Sequence, residues 1–304
     1  MMQPIIGPKG VSVMKSTITI GMMLLVVGNL FSAMYDVSIK WLPEGSSAAT
    51  FLLIRQLTSV LMLLPLWFAT KKPISRHIKV HLVRANTGAI GAVCLIMGLI
   101  ALPIATVSSL FYSAPLMIVL MGFLFLKESV TAAHWLATIL GFLGIIILLR
   151  PSEINWFGIA VLISAFMFAI NQLALRKLPS TESPVVTLML YNLLSIPLVL
   201  VMALVQGIEA ISGSLVAIAV SSNVFLLAYQ WFCVLAYRQA QASQIVVAEY
   251  TGLLFCVFFG WLFFDEWLDG LSWVGAGFIV LPSLIIPWIQ AKRSQKKFIE
   301  QNAG

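Results

Sequence analysis

The sequence predicts an all-α integral membrane protein, with ten transmembrane helices arranged as two inverted five-helix repeats. Three observations lead there: an apolar composition, a series of long uninterrupted apolar runs, and a segment that recurs 138 residues further along the chain. Of 304 residues, 61% are hydrophobic and 10% are charged, with a mean hydropathy of +1.02. A soluble domain uses roughly 25% charged residues to solvate its surface, so a fully water-exposed shell is excluded.

The apolar runs place helices near residues 17–39, 47–70, 85–102, 104–126 and 132–149, then 156–174, 185–205, 215–237, 242–264 and 271–288. Each is close to the roughly 20 residues that cross a bilayer. The runs lack the two-residue alternation of a membrane barrel, and a helix satisfies its own backbone in lipid. The first run is too long for a signal-peptide core and is read as a retained span. Residues 1–16 form a cytoplasmic N-terminal segment, 17–150 the first repeat, 156–289 the second and 290–304 a basic cytoplasmic tail.

Ten spans sort the basic residues sharply. Of 18 Lys and Arg, fifteen fall on one side, among them Lys71, Lys72, Arg84, Lys127, Lys292 and Arg293. Only Lys40 and Arg150 fall on the other, and Arg55 lies inside a span. The positive-inside rule makes the crowded side cytoplasmic and puts both termini there, as in a bacterial inner membrane. The net charge of +7 then reflects topology and anionic lipid rather than nucleic acid. Cys94, Cys233 and Cys256 fall inside spans without a CxxC pair, and His77, His81 and His134 are dispersed, so no metal site or disulfide framework is visible. No phosphate-cradling glycine loop or nucleophile–base constellation is present. The expectation is therefore no cofactor and no enzyme.

The repeat gives the architecture. FLFLKESVTAAHWLATILGFLGIIILL (residues 123–149) returns as WLFFDEWLDGLSWVGAGFIVLPSLIIP (261–287), which sets Glu128 on Glu266, Trp135 on Trp273 and Tyr112 on Tyr250. SIKWLP (38–43) is echoed by ALRKLP (174–179). Five helices per repeat is an odd number, so the second repeat enters the membrane inverted. Such repeats place a substrate site near the midplane at their interface.

Over about residues 17–290 the chain resembles two EamA domains of the drug/metabolite transporter superfamily. The resemblance is carried by Arg84 opening the third span, by IALPIATVSSLFYSAPLMIVLMGFLFLKE (100–128), by GFLGIIILLRP (141–151) and by AEYTGLLFCVFFGWLFFDE (248–266). MYDVSIKWLP and FLLIRQL also fit the pattern. The resemblance implies ten helices, alternating access and a central cavity lined from both halves. The EYT of the ninth span looks like the branch containing S-adenosylmethionine and riboflavin transporters. Many relatives carry an acid just after the LP of the third loop, where this chain has Ile104, Ala105 and Thr106.

Polar residues inside the spans mark candidate site positions. Asn29, Ser32, Asp36 and Lys40 share one face of the first helix, as do Ser164, Phe168 and Asn171 in the sixth. Asp36, Arg55 and Glu249 are ionisable where a charge costs about 2.5–3.5 kcal/mol, so each should face protein or water. Asp36 either pairs with Lys40 or lines the cavity. Arg55 either neutralises Glu249 or holds a substrate carboxylate. Glu249 is the leading candidate for a substrate or proton contact. Tyr112, Tyr250, Trp231, Tyr191 and Phe168 are deep enough to stack on a flat ligand or simply to pack. The candidate substrate-binding set is Glu249, Arg55, Tyr112, Tyr250, Asn171, Asp36, Asn29 and Trp231. Ala133, Ala137 and Gly141 form a small-residue face suited to a scaffold contact or a dimer seam, in a monomer or homodimer.

The function class is a secondary transporter of a small polar organic metabolite (amino-acid-, nucleoside- or vitamin-like), with protons as a candidate coupling ion and membrane lipid as its surroundings. The alternative is a non-transporting polytopic protein, a receptor or an intramembrane enzyme. Topology is open to test: reporters fused at Gly304 and within residues 71–84 should both behave as cytoplasmic, and a periplasmic signal from either would remove the span count and the inversion together.

Overall fold

A chain in lipid must pair every backbone N–H and C=O within itself, and the apolar runs do so as helices. The computed structural model describes residues 8–43, 45–70, 75–126, 132–149, 156–239, 245–278, 280–281 and 285, and every regular element among them is helical. The first repeat contains α1 (Pro8–Lys40), α2 (Ala48–Phe68), α3 (Ile78–Ala101), α4 (Ile104–Phe111), α5 (Ala114–Leu126) and α6 (Ala132–Leu149). The second contains α7 (Trp156–Leu175), α8 (Pro184–Gln206), α9 (Gly213–Gln239), a 3₁₀ turn (Val246–Tyr250) and α10 (Thr251–Phe264), after which residues 270–278 are helical. Seven stretches among the described residues are long and apolar enough to cross a membrane, while the apolar stretch Ala248–Phe264 is shorter. The expected fifth span coincides with α6, and the expected tenth is described as helix over 270–278. The Glu128 turn and the basic tail lie outside the described residues.

Several helix boundaries differ from the sequence expectation, among them that of α1, which starts at Pro8 rather than residue 17. α3 starts at Ile78 rather than residue 85, which carries His81 and Arg84 into the helix, where both are buried. The expected fourth span is two helices, interrupted between Phe111 and Ala114. Pro115 explains the break: it has no N–H to offer, and its ring would collide with the Phe111 carbonyl in a continuous helix. The expected ninth span opens as a 3₁₀ turn that becomes α-helical only at Thr251. Tyr112 and Tyr250, which the repeat aligns, sit at these two equivalent junctions.

The helices pack in symmetric pairs. α1 lies along α9 and α3 along α7, and these contacts exchange when the repeats exchange; α2 pairs with α8, its own counterpart. The rings of Tyr112 and Tyr250 meet with centroids 6.2 Å apart. Residues related by a pseudo-two-fold can touch one another only near its axis, so this contact marks it.

Loop carboxylates pin the ends of the bundle. Where α1 ends and α4 begins, Lys40 Nζ lies 3.1 Å from Glu266 Oε1 and donates to the Leu102 carbonyl at 2.7 Å. The other Glu266 oxygen accepts from Ile104 N at 2.7 Å, at the positive end of α4. Asp265 adopts a left-handed φ of 51°, a conformation Asp tolerates, and the reversal it makes turns Glu266 back toward α4. On the same face Glu209 Oε2 accepts from Ser47 N at 2.9 Å, at the start of α2.

On the opposite face, where α2 ends and α3 begins, Glu182 plays the same part. It accepts from Ser75 and, at 2.9 Å, from Thr187, with His81 Nε2 3.0 Å away. Burial alone would raise this carboxyl, but the hydrogen bonds from His81, Ser75 and Thr187 outweigh it and hold it at about 2, against an ordinary 4.5. A depressed pKa contributes stability above the unfolded value and loses it as pH falls toward the folded one. Melting of the purified protein should therefore weaken as pH falls from about 4.5 toward 2. Glu182→Gln should be less stable at neutral pH and lose less across that window; parallel curves for the two proteins would remove Glu182 as a clamp.

Candidate functional site

A cavity of about 1070 Å³, counting open solvent at its mouth, lies between the repeats. Its wall repeats with the fold. Ser32, Tyr35 and Asp36 of α1 line it, and so do Phe168, Asn171 and Gln172, each 136 residues later on α7. Arg84, Thr87, Gly88, Gly91 and Ala92 of α3 line it, and so do Leu226, Tyr229, Gln230, Cys233 and Val234, each 142 residues later on α9. α2 contributes Arg55 and α8 contributes Tyr191, the eighth residue of each helix. α4 and the residue after it add Val107, Ser108, Phe111 and Tyr112, and Leu95, Ser164, Leu175 and Leu188 also line the cavity without a repeat counterpart there.

Arg55 and Arg84 are both almost fully buried, at 2% and 4% exposure. Arg55 Nη1 donates to the Tyr35 hydroxyl, and its guanidinium lies 5.4 Å from the centre of the Tyr35 ring. Arg84 lies 5.5 Å over the ring of Tyr191. Tyr191 reaches this position because residue 88 is glycine: a Cβ there would overlap its hydroxyl. The Arg84 carbonyl accepts from Asn171 Nδ2 at 2.8 Å, which fixes α7 against α3. Asp36 faces the cavity and accepts a weak hydrogen bond from Cys256 Sγ at 3.5 Å, while Lys40 is engaged by Glu266 instead. Phe111 packs edge-on against Tyr112 and Phe168, with centroids 6.0 and 5.2 Å away. Tyr112 is held over Gly252, where a Cβ would overlap its hydroxyl.

Of the eight residues singled out from sequence, Arg55, Tyr112, Asn171 and Asp36 lie on the cavity wall. Glu249, Tyr250 and Asn29 form a layer behind it. Asn29 Nδ2 reaches the carbonyls of Ala248 and Glu249, at 2.9 and 3.2 Å, and Thr251 Oγ1 at 3.1 Å. It thereby ties α1 to the junction at which α10 begins. Glu249 accepts from the Tyr237 hydroxyl at 2.7 Å and makes no ion pair with Arg55 among the described residues. Trp231 packs beside a separate apolar cluster that includes Leu25, Leu63 and Ile245. The wall residues absent from the sequence-derived set are chiefly Tyr35, Arg84, Tyr191, Tyr229 and Gln230. In the sequence Arg84 reads as a basic residue at a span boundary. The i, i+3, i+4 spacing of Arg84, Thr87 and Gly88 was the signal that would have placed it on an inward helix face.

Both halves of this arrangement, residues 19–150 and 155–287, match the EamA-like transporter family. The chain belongs to that family. A riboflavin transporter of Rhizobium johnstonii is 32% identical over 71% of this chain and 72% of its own length. A pseudopaline exporter of Pseudomonas aeruginosa is 27% identical over 88% of this chain and 95% of its own length. An S-adenosylmethionine uptake transporter of Rickettsia felis is 24% identical over 89% of this chain and 93% of its own length. A crystal structure of a protein with 14% sequence identity shares the fold, with a TM-score of 0.63 over 90% of this chain and 98% of that one. The two EamA units thus account for nearly all of the chain, and the protein is a multi-pass membrane protein of a family of small-metabolite transporters.

Within this EamA pair, Asn29 is the polar link between the first helix and the helix junction of the second unit. Asn29→Ala removes the hydrogen bonds to Ala248 O, Glu249 O and Thr251 Oγ1, each with a net value of about 0.5–1.5 kcal/mol, since Thr251 still serves both carbonyls. Its unfolding midpoint in detergent should fall accordingly, and an unchanged midpoint would show the link to be dispensable.

Proposed function

We propose that this protein is a secondary transporter that moves a small polar organic metabolite by alternating access, through ten spans with both termini in the bacterial cytoplasm. The observation that carries this reading is the repeated wall: equivalent positions of α1 and α7, and of α3 and α9, enclose one cavity between inverted units. A cavity built by inverted repeats can open to either face when the two units exchange conformations. Its asymmetry among the described residues supports the same reading, since α4 lines it and Ala248, Glu249 and Tyr250 at the equivalent position do not. A carrier resting in one of two states related by the pseudo-two-fold has to be lopsided in this way.

Arg55, Tyr112, Asn171 and Asp36 are the proposed substrate contacts on the wall. Tyr250 and Asn29 support them from behind, Trp231 packs beside the neighbouring apolar cluster, and Glu249, facing Tyr237 behind the wall, is the proposed proton contact. The mixture of rings and hydrogen-bonding groups suits a planar, polar cargo. Relatives named for riboflavin and S-adenosylmethionine agree with that class. Lys40 and Glu266 close the face opposite the basic one and act as a gate.

The test uses liposomes containing the protein with Cys94, Cys233 and Cys256 replaced by Ala and the pair Lys40→Cys and Glu266→Cys added, assayed with riboflavin and S-adenosylmethionine. Crosslinking should stop flux and reduction should restore it, while Glu249→Gln in the parent protein should abolish the response to an imposed pH gradient. Flux that ignores the crosslink would overturn alternating access at this gate, and a retained response in the Gln variant would overturn the proton role.

A further inference from the structure

The two arginines of the cavity are buried without a counter-charge. Arg84 Nε and Nη1 and Arg55 Nε have no hydrogen-bond partner, and no carboxylate lies within 4.0 Å of either guanidinium among the described residues. Asp36 is the one acid on the wall among the described residues. Glu182, on the basic face, is already committed to Ser75, His81 and Thr187. A buried guanidinium left unpaired costs several kcal/mol, so a site that keeps two is arranged for something that completes them.

The stacking shows what that is. Arg84 Cζ lies 5.5 Å from the centre of the Tyr191 ring, and this cation–π contact uses none of its N–H donors, whereas Arg55 spends one on the Tyr35 hydroxyl. A free edge is a planar fork matched to two oxygens of a carboxylate or phosphate. Arg55 and Arg84 enter from opposite faces, each roughly 10 Å deep at 1.5 Å per residue, which leaves about 10 Å between their levels in a 30 Å core. One small anion therefore cannot take both forks. Arg84, with two unpartnered donors and no hydroxyl partner, is the receiver, and Arg55 supplies a second positive level further in. Phe111, Tyr112, Phe168 and Tyr229 offer ring faces beside them.

We propose that the cavity binds an organic anion: a planar ring against the aromatic wall, with its carboxylate or phosphate on the free edge of Arg84. This narrows the substrate class of the transporter reading and rests on it for the word cargo, but the binding step is testable alone. The probes are nicotinate against nicotinamide for the carboxylate, and flavin mononucleotide against riboflavin for the phosphate, titrated calorimetrically into the purified full chain. Wild-type protein should bind at least one acid tenfold or more tighter than its neutral partner. Arg84→Gln should bring that ratio close to one, through a loss of acid affinity larger than any change in the neutral probe's. Arg84→Lys should retain part of the preference, and Arg55→Gln should reduce it less than Arg84→Gln does.

Equal affinity for acid and neutral partner in the wild type, no binding of any probe, or a preference that survives Arg84→Gln would each overturn the proposal. The wild-type comparison decides even where a variant fails to fold. Anion binding without flux in liposomes would sink the transport reading and leave the site standing. Riboflavin flux with both acids ignored would do the reverse.

Discussion

The contact between Tyr112 and Tyr250 is where the two repeats meet, and much of the bundle is arranged so that it can form. Each ring projects from a helix junction rather than from a helix: Tyr112 follows α4, and Tyr250 ends the 3₁₀ turn ahead of α10. Tyr112 can lie against α10 only because residue 252 lacks a Cβ. Asn29 then holds the second junction in place through the carbonyls of Ala248 and Glu249. With the axis set, α1 falls beside α9 and α3 beside α7, and the wall positions of the four helices come to face one space. The cavity is therefore a product of the repeat interface, not of either half.

The architecture was legible in the sequence because two strong signals carried it: long apolar runs and the recurrence of 123–149 at 261–287. Span ends were less legible. Runs read by hydropathy start after the last charge, whereas α3 starts before Lys79, His81 and Arg84, because the latter two turn inward and are buried. The break in the fourth span was written in Pro115 and was overridden by the apolarity around it.

The site divides along the same line. Asp36 and Asn171 share inward faces with Ser32 and Phe168, and that spacing is a local property a sequence displays. Whether a buried polar group looks into the cavity or stands behind it depends on which helix is its neighbour, and no single helix encodes that. Glu249 and Asn29 stand behind because α1 and α9 close around the junction. Tyr191 reaches the wall because Gly88 is on a different repeat. The loop acids Glu182, Glu209 and Glu266 were equally hard to place, since each acts on a segment far away in the chain.

The interruption between α4 and α5 has a mechanical consequence. Eight residues of helix make a rod about 12 Å long at 1.5 Å per residue. Its far end is held by Glu266 at Ile104 N, and its near end is a pivot at Tyr112 and Ser113. Tilting an unbroken helix would stretch its ladder of backbone bonds, but at this pivot the ladder is already interrupted by Pro115. Leaning the rod toward or away from the cavity therefore strains only the two backbone bonds at the pivot, Tyr112 N to Ser108 O and Ser113 N to Leu110 O, and not a continuous ladder. Its bearing surface is the Tyr112 ring resting on Gly252, so whatever lifts α4 must slide that ring across the opposite repeat.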